Sequence, residues 1–210
     1  MTTTPDREGR AIVAARGDVS RETLARLDAL VDHVDSWRTR MNIIGPREFD
    51  RIWSRHIDDS LQLLPLIGGP ATILDLGSGG GFPGLVLAAA QPSQSQVTLV
   101  ESVGKKCAFL MNAVEALDLP ATVLRSRVEA LTPFPATHVT ARAFAPLPKL
   151  LDYAAPWLQN DAIGLFHKGK SWQEELDAAS RQWAFRHETI PSRTDEAAVI
   201  MRLSEVRRHG

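Results

Sequence analysis

Between Ser20 and Trp37 the apolar residues Leu24, Leu27, Leu30, Val31, Val34 and Trp37 recur every three or four positions, which places one stripe on one face of a helix. Ser20 stands where the hydroxyl of a helix cap is wanted. Gly45-Pro46 breaks the chain. A second helical pattern then carries Phe49, Ile52, Trp53, His56 and Ile57 on one face and continues through Leu61, Leu64 and Leu66. Residues 1–18 hold few large apolar groups and are expected to form a flexible tail, and residues 19–70 a helical appendage.

From Ala71 the texture changes to short aliphatic runs alternating with amphipathic helices, which predicts an α/β fold with a parallel sheet covered on both faces. The expected strands are Thr72–Leu76, Val97–Glu101, Ala121–Leu124, His138–Ala141 and Ile163–His167, with a closing antiparallel pair near His187–Ile190 and Ala198–Leu203. A helix is expected from Gly104 to Leu117, with Phe109, Leu110, Ala113, Val114 and Leu117 turned inward. Residues 71–210 thus read as a doubly wound core, and the whole chain as one domain.

Composition narrows the chemistry. With 44% hydrophobic and 23% charged residues over 210 positions, the chain has the ordinary mixture of a compact globular protein. Its single cysteine, Cys107, supports neither a disulfide framework nor a thiolate metal site, and no metal is expected. The polar start from Met1 to Asp18 lacks the apolar stretch of a signal peptide, and no run is long enough to span a membrane, so a cytoplasmic protein is expected. The 24 Lys and Arg nearly balance the 25 Asp and Glu, so any nucleic acid would have to be held by a local basic patch.

The densest candidate chemistry follows the first core strand, in Asp75-Leu76-Gly77-Ser78-Gly79-Gly80-Gly81-Phe82-Pro83-Gly84. A buried strand running through glycines into a helix points backbone N–H groups and a helix N-terminus into one crevice, which suits a nucleotide-like ligand. Gly77, Gly79 and Gly81 let a ligand approach the main chain, Asp75 is placed to meet a cationic amine, and Glu101, at the end of the next strand, to accept ribose hydroxyls. The glycines also fit a simple tight turn, and Gly79-x-Gly81-x-x-Gly84 matches the dinucleotide fingerprint as well. Two features favour S-adenosylmethionine over a dinucleotide: the Asp75-x-Gly77-x-Gly79 opening sets a carboxylate where a pyrophosphate would be repelled, and Pro83 stiffens the loop early.

Beyond the loop, several segments stand in a telling order: His56-Ile57-Asp58-Asp59-Ser60-Leu61, the loop itself, Glu101 with Lys105-Lys106 and Phe109-Leu110, Arg127-Val128-Glu129, and Ala141-Arg142-Ala143. Over residues 20–205 the chain resembles the small-subunit ribosomal RNA guanine-N(7) methyltransferases, also called glucose-inhibited division protein B. The resemblance implies a Rossmann-like, class I S-adenosylmethionine-dependent methyltransferase that acts on 16S ribosomal RNA or the small subunit and releases S-adenosylhomocysteine. It also implies that Gly77 and Phe82 line the cofactor site, that Val128 and Glu129 border the adenine, and that Arg142 closes the pocket. His56, Asp59, Ser60, Arg142 and Lys168 become candidates for placing the target base. Where the family usually shows Asn-Leu-Thr and Leu-Lys-Gly, this chain has Asn42-Ile43-Ile44 and His167-Lys168-Gly169, so a more polar pocket rim is expected.

Guanine nitrogen 7 has a free lone pair and no proton to lose, which agrees with the absence of an evident general-base dyad. Cys107 reads as a small helix residue rather than a nucleophile. Arg38, Arg40, Arg47, Arg51 and Arg55 fall within eighteen residues and, with Lys105 and Lys106, are candidates for phosphate contacts, although Glu48 and Asp50 neutralise part of that run. Phe82, Phe144 or Pro146 would supply a lip for a base drawn out of its stack. A monomer is expected.

Overall fold

The computed structural model describes residues 5–91 and 94–210. The helical segment comprises α1 (Arg7–Arg16), α2 (Arg21–Arg38), α3 (Pro46–Phe49), a π-helical turn (Trp53–Ile57), α4 (Asp58–Leu61) and α5 (Leu64–Ile67). The core follows as β1 (Thr72–Leu76), α6 (Gly84–Ala90), β2 (Gln96–Glu101), α7 (Gly104–Ala116), β3 (Ala121–Arg125), a 3-10 turn (Val128–Ala130), β4 (His138–Arg142), α8 (Leu147–Leu158), β5 (Ile163–Lys168), α9 (Trp172–Ser180), β6 (Trp183–Pro191) and β7 (Val199–Arg208). The seven strands form one sheet in the order β3-β2-β1-β4-β5-β7-β6. Strands β1 to β5 run parallel, while β7 is antiparallel to both β5 and β6. The strand order reverses between β1 and β4, so the loops at their carboxyl ends diverge and open a crevice.

Side chains alternate along the strands as the pleat requires. Ile73, Val97, Leu99, Leu165 and Ile200 join the cluster that holds α2, the π turn, α6 and α7. Leu74, Leu76, Val100, Val139, Phe166 and Met201 join the one beneath α8 and α9. The first cluster runs without a break from Val13 through Leu27, Trp53 and Leu85 to Phe109, so the helical appendage and the sheet share one core. Helix α6 explains why: Gly84 through Ala89 are all buried, and a helix apolar on every side needs covering on its outer face as well as against the sheet.

The expectation of a flexible tail does not hold for residues 7–16, which form α1, while residues 1–4 lie outside the described residues. Docking here rests on polar anchors and one fully buried apolar residue, Val13, a combination that carries no hydrophobic stripe. Asp6 accepts from Ser54 N at 2.7 Å and Ser54 Oγ at 2.8 Å. Arg16 forks onto both oxygens of buried Asp58 at 2.6 and 2.9 Å, and Arg193, in the β6–β7 loop, donates to Asp58 at 2.9 Å. The closing strands β6 and β7 are also longer than expected: the added ends bury Trp183 and Val206, but charged residues such as Arg186, Glu205, Arg207 and Arg208 interrupt the apolar signal.

Asp58 therefore ties three segments together, whereas the Arg10–Asp28 pair at 2.6 Å is about a third exposed on each side. Removing one member of a buried pair strands its partners, whereas an exposed pair contributes little. With Arg16 and Arg193 themselves part-exposed, Asp58→Ala is expected to lower the unfolding free energy by about 2 kcal/mol and Asp28→Ala by less than about 1 kcal/mol. Equal urea midpoints for the two variants would sink this ranking.

Candidate functional site

β1 delivers the chain into the glycine loop, where Gly77 takes φ +66°. That conformation favours glycine, and a Cβ at this position would also collide with the Phe144 ring. Glu101, at the end of β2 and 7% exposed, is wrapped by main chain: Oε1 accepts from Ser102 N and Val103 N at 2.7 and 2.8 Å, and Oε2 from Gly79 N at 3.0 Å. Three of the four lone-pair sites of this carboxylate are thus taken, which leaves one for a ligand hydroxyl instead of the two expected. A cavity of about 470 Å³ opens here, bordered by Gly77, Glu101, Lys106, Val128, Glu129, Lys149 and Tyr153.

Asp75 does not reach that cavity. It is 1% exposed, its Oδ1 accepts from Thr140 Oγ1 at 2.8 Å, and its other oxygen lies against Gly84 at the start of α6. Strand alternation turns Asp75 toward α6, under the loop, rather than along the crevice. Burial pushes its carboxyl up to about 6, against opposing hydrogen bonds.

A second cavity, of about 620 Å³, lies beside the first and is walled by the helical segment, the ends of β4 and β5, and the β6–β7 loop. Arg142, the last residue of β4, reaches across it. Its Nη1 donates to the Arg55 carbonyl at 2.9 Å and to Asp59 Oδ2 at 3.0 Å, and its Nη2 to His56 Nδ1. The Arg142 guanidinium lies 5.6 Å from the Phe82 ring centroid, and the His56 ring packs 4.9 Å from the same centroid. Arg142 can only donate, so His56 Nδ1 accepts and its proton sits on Nε2. Burial, followed by the Arg142 charge, pushes His56 down to about 3.

Burial pushes Asp59 up, but the facing His167 and Arg142, with hydrogen bonds from Arg142 and Thr194, outweigh it and hold the carboxyl below its usual range. His167 is itself pushed down, chiefly by burial, so at neutral pH Arg142 is the cation that remains. The π turn carries Arg55 and His56, and single π turns within helices recur at functional sites.

The two cavities share one wall, the β4–α8 turn of Ala143, Phe144, Ala145 and Pro146. Ala143 sits at φ +50°, a conformation costing a non-glycine residue on the order of 1 kcal/mol. Lys168, 6% exposed, donates at 2.8 Å both to the Ala145 carbonyl and to Glu175 Oε2, and Glu175 in turn accepts from Leu147 N at 2.8 Å. Burial pushes the Lys168 ammonium down despite Glu175. The turn is thus clamped from β5 and α9.

Of the residues singled out in the sequence, Gly77, Glu101, Lys106, Val128 and Glu129 meet at the first cavity, and Arg55, His56, Asp59, Arg142 and Lys168 at the second. Phe82 is stacked beneath His56 and Arg142, and Gly79 and Gly81 shape the loop from behind. Ser60 is turned away: fully buried, it donates to the His56 carbonyl at 2.6 Å within its own helix. Cys107 is buried, with Sγ directed to the Glu101 carbonyl at 3.2 Å. Glu48, Glu175, Ser192, Thr194 and Asp195 also line the second cavity. Glu48 was read only as a neutraliser of the arginine run, and the other four were missed because only the return of β7 beside β5, and the packing of α9, bring them there.

A family described as rRNA small subunit methyltransferase G matches residues 23–200. The chain belongs to this family. It is 56% identical over 203 residues to a ribosomal RNA small subunit methyltransferase G of Hyphomonas neptunium, covering 97% of this chain and 98% of that protein. It is 47% identical over 190 residues to the same-named protein of Gluconobacter oxydans, covering 90% and 97%. Among solved structures, an O-methyltransferase from Bacillus cereus in complex with S-adenosylhomocysteine superposes with a TM-score of 0.56 at 12% identity, covering 84% of this chain and 91% of that one. The last likeness supports the Rossmann-like methyltransferase fold.

In this rRNA small subunit methyltransferase G family member, the arginine run divides. Arg38 pairs with Asp35 at 2.6 Å and lies 4.0 Å from the Phe49 ring centroid, and Arg55 pairs with Asp195 at 3.1 Å. Arg40, Arg47 and Arg51 are exposed, as is Lys105, and no ion pair engages them among the described residues. No helix is long and apolar enough to cross a membrane among those residues.

The buried His56 sets a pH dependence. With its folded pKa near 3 and an ordinary value of 6.5, its stabilising contribution is complete above pH 6.5 and is lost as pH falls toward 3. Between pH 7 and pH 5 the wild type should lose about 2 kcal/mol more unfolding free energy than His56→Gln. Parallel stability curves for the two proteins in chemical denaturation would refute this.

Proposed function

We propose that this chain transfers the methyl group of S-adenosylmethionine to nitrogen 7 of a guanine in 16S ribosomal RNA of the small subunit. The observation that carries the reading is the pair of adjoining cavities, parted only by the β4–α8 turn, in a chain of this family. The residues present fit the cofactor. A space of about 470 Å³ is of the size that small-molecule sites take, and it has Gly77 on one side and the remaining acceptor site of Glu101, with Val128 and Glu129, on the other. When bound, S-adenosylmethionine supplies an already activated methyl carbon.

The protein's work is then positioning and electrostatics. Gly77 and Glu101 hold the cofactor side, and Val128 and Glu129 border the adenine. The clamped turn sets the distance between the two compartments. In the second cavity His56, Asp59 and Arg142 form the floor on which the base rests. Methylation leaves a positive charge on the purine, and Asp59 offsets Arg142 so that this charge is not repelled. His56 neither removes nor needs to remove a proton, since its Nδ1 is occupied by Arg142 and N7 carries no hydrogen.

Arg40, Arg47 and Arg51, with Lys105 and Lys106, are the phosphate contacts in this reading, because no ion pair or hydrogen bond engages their guanidinium and ammonium groups among the described residues. We read the protein as a cytoplasmic monomer. Ribosomal RNA as substrate supports the compartment, and the small number of exposed large apolar side chains among the described residues, Ile12, Val103 and Met111, supports the monomer.

The test is transfer of labelled methyl from S-adenosylmethionine to small subunits purified from a strain lacking the gene, followed by mapping of the product. Label at nitrogen 7 of one guanine is expected, and Gly77→Asp, which drives a side chain into Phe144, should reduce it below detection. Label on an exocyclic amine or a ribose would overturn the assignment of the acceptor atom.

A further inference from the structure

The second cavity holds four carboxylates, Glu48, Asp59, Glu175 and Asp195, and three of them are spent. Asp59 accepts from Arg142, Gln62 and Thr194. Glu175 serves Lys168 and the Leu147 amide. Asp195 accepts from Arg55 at 3.1 Å on one oxygen and Ala197 N at 3.0 Å on the other. Glu48 differs. Its side chain is 57% exposed, and among the described residues its one charged or hydrogen-bonding neighbour is His56 Nε2 at 3.1 Å, an approach without the alignment of a hydrogen bond. It stands on α3 and borders only the second of the two cavities, whereas the β4–α8 turn borders both.

Resting on the guanine-N7 reading above, we infer that Glu48 reads the target base, accepting N1–H and the 2-amino group of the guanine. The geometry of the reaction requires this kind of group. Nitrogen 7 must face the turn, so the edge carrying the two donors faces away from it. A carboxylate with free lone pairs matches two adjacent N–H donors in the way a forked acid matches a guanidinium. Adenine would set the lone pair of its N1 against the same carboxylate and be repelled, so one group both admits guanine and excludes adenine. His56, neutral and fixed by Arg142, brings its Nε2 within 3.1 Å of Glu48 without using up a lone pair of that carboxylate.

The test compares wild type with Glu48→Gln on small subunits carrying either guanine or inosine at the target nucleotide, inosine lacking only the 2-amino group. For wild type, kcat/KM should fall on the order of tenfold to a hundredfold on inosine, and Glu48→Gln should be reduced on guanine by a similar factor. The two effects should not multiply: Glu48→Gln should treat both substrates nearly alike. Glu48→Ala, with its melting temperature checked against wild type, should behave the same way. An inosine penalty undiminished in both variants, or full activity of Glu48→Gln on guanine, overturns the inference. If the wild type does not methylate nitrogen 7 of the guanine subunits at all, the underlying reading fails and this inference falls with it.

Discussion

The Arg142 guanidinium joins what would otherwise be two separate surfaces. From the end of a parallel strand it reaches the Arg55 carbonyl, Asp59 and His56 on the helical segment while lying over Phe82 of the glycine loop. A cation this far out of water is tolerated only when its donors are met and its charge is offset, and these partners do both. The floor of the larger cavity follows from that one requirement: the ring orientation and neutral state of His56, the ionised state of Asp59, and the seating of the π turn against β4.

A similar economy governs the wall between the cavities. Lys168 cannot stay buried and charged without Glu175, and Glu175 in turn supplies the acceptor that the first amide of α8 lacks. The left-handed Ala143 is held between two anchored points, β4 before it and the Lys168 hydrogen bond to Ala145 after it.

Much of the fold was legible because its signals are local. The strand Thr72–Leu76, the glycines after it, the acid at the end of β2 and the helix from Gly104 each follow from spacing and residue type, and the sheet places them at one crevice. What escaped was the direction each side chain takes and the partners that use it up, near or far in the chain. Asp75 looked like a ligand-facing carboxylate, but the pleat and the close approach of Gly84 turn it inward. Ser60 belonged to a suggestive motif, yet its hydroxyl is used up on the preceding helical turn. Glu101 kept its position but lost capacity, because no pattern in the chain shows that three backbone amides will converge on it. Residues 7–16 carried no apolar stripe, so only Arg16, Asp6 and their distant partners reveal why they dock.

Helix α6, buried on every side, has a consequence for how the molecule accommodates an irregular partner. A glycine loop fused to such a helix is pinned from both layers, so it cannot shift without opening the core that the helical segment and the sheet share. Adaptation must come from elsewhere. The tip between β6 and β7, which lays Ser192, Thr194 and Asp195 along the second cavity, is tied to the helical segment by hydrogen bonds and ion pairs that are directional and polar, unlike the apolar packing around α6. In the reading proposed above, a half set by close apolar packing thus receives the small molecule, and a half set by polar ties faces the large one.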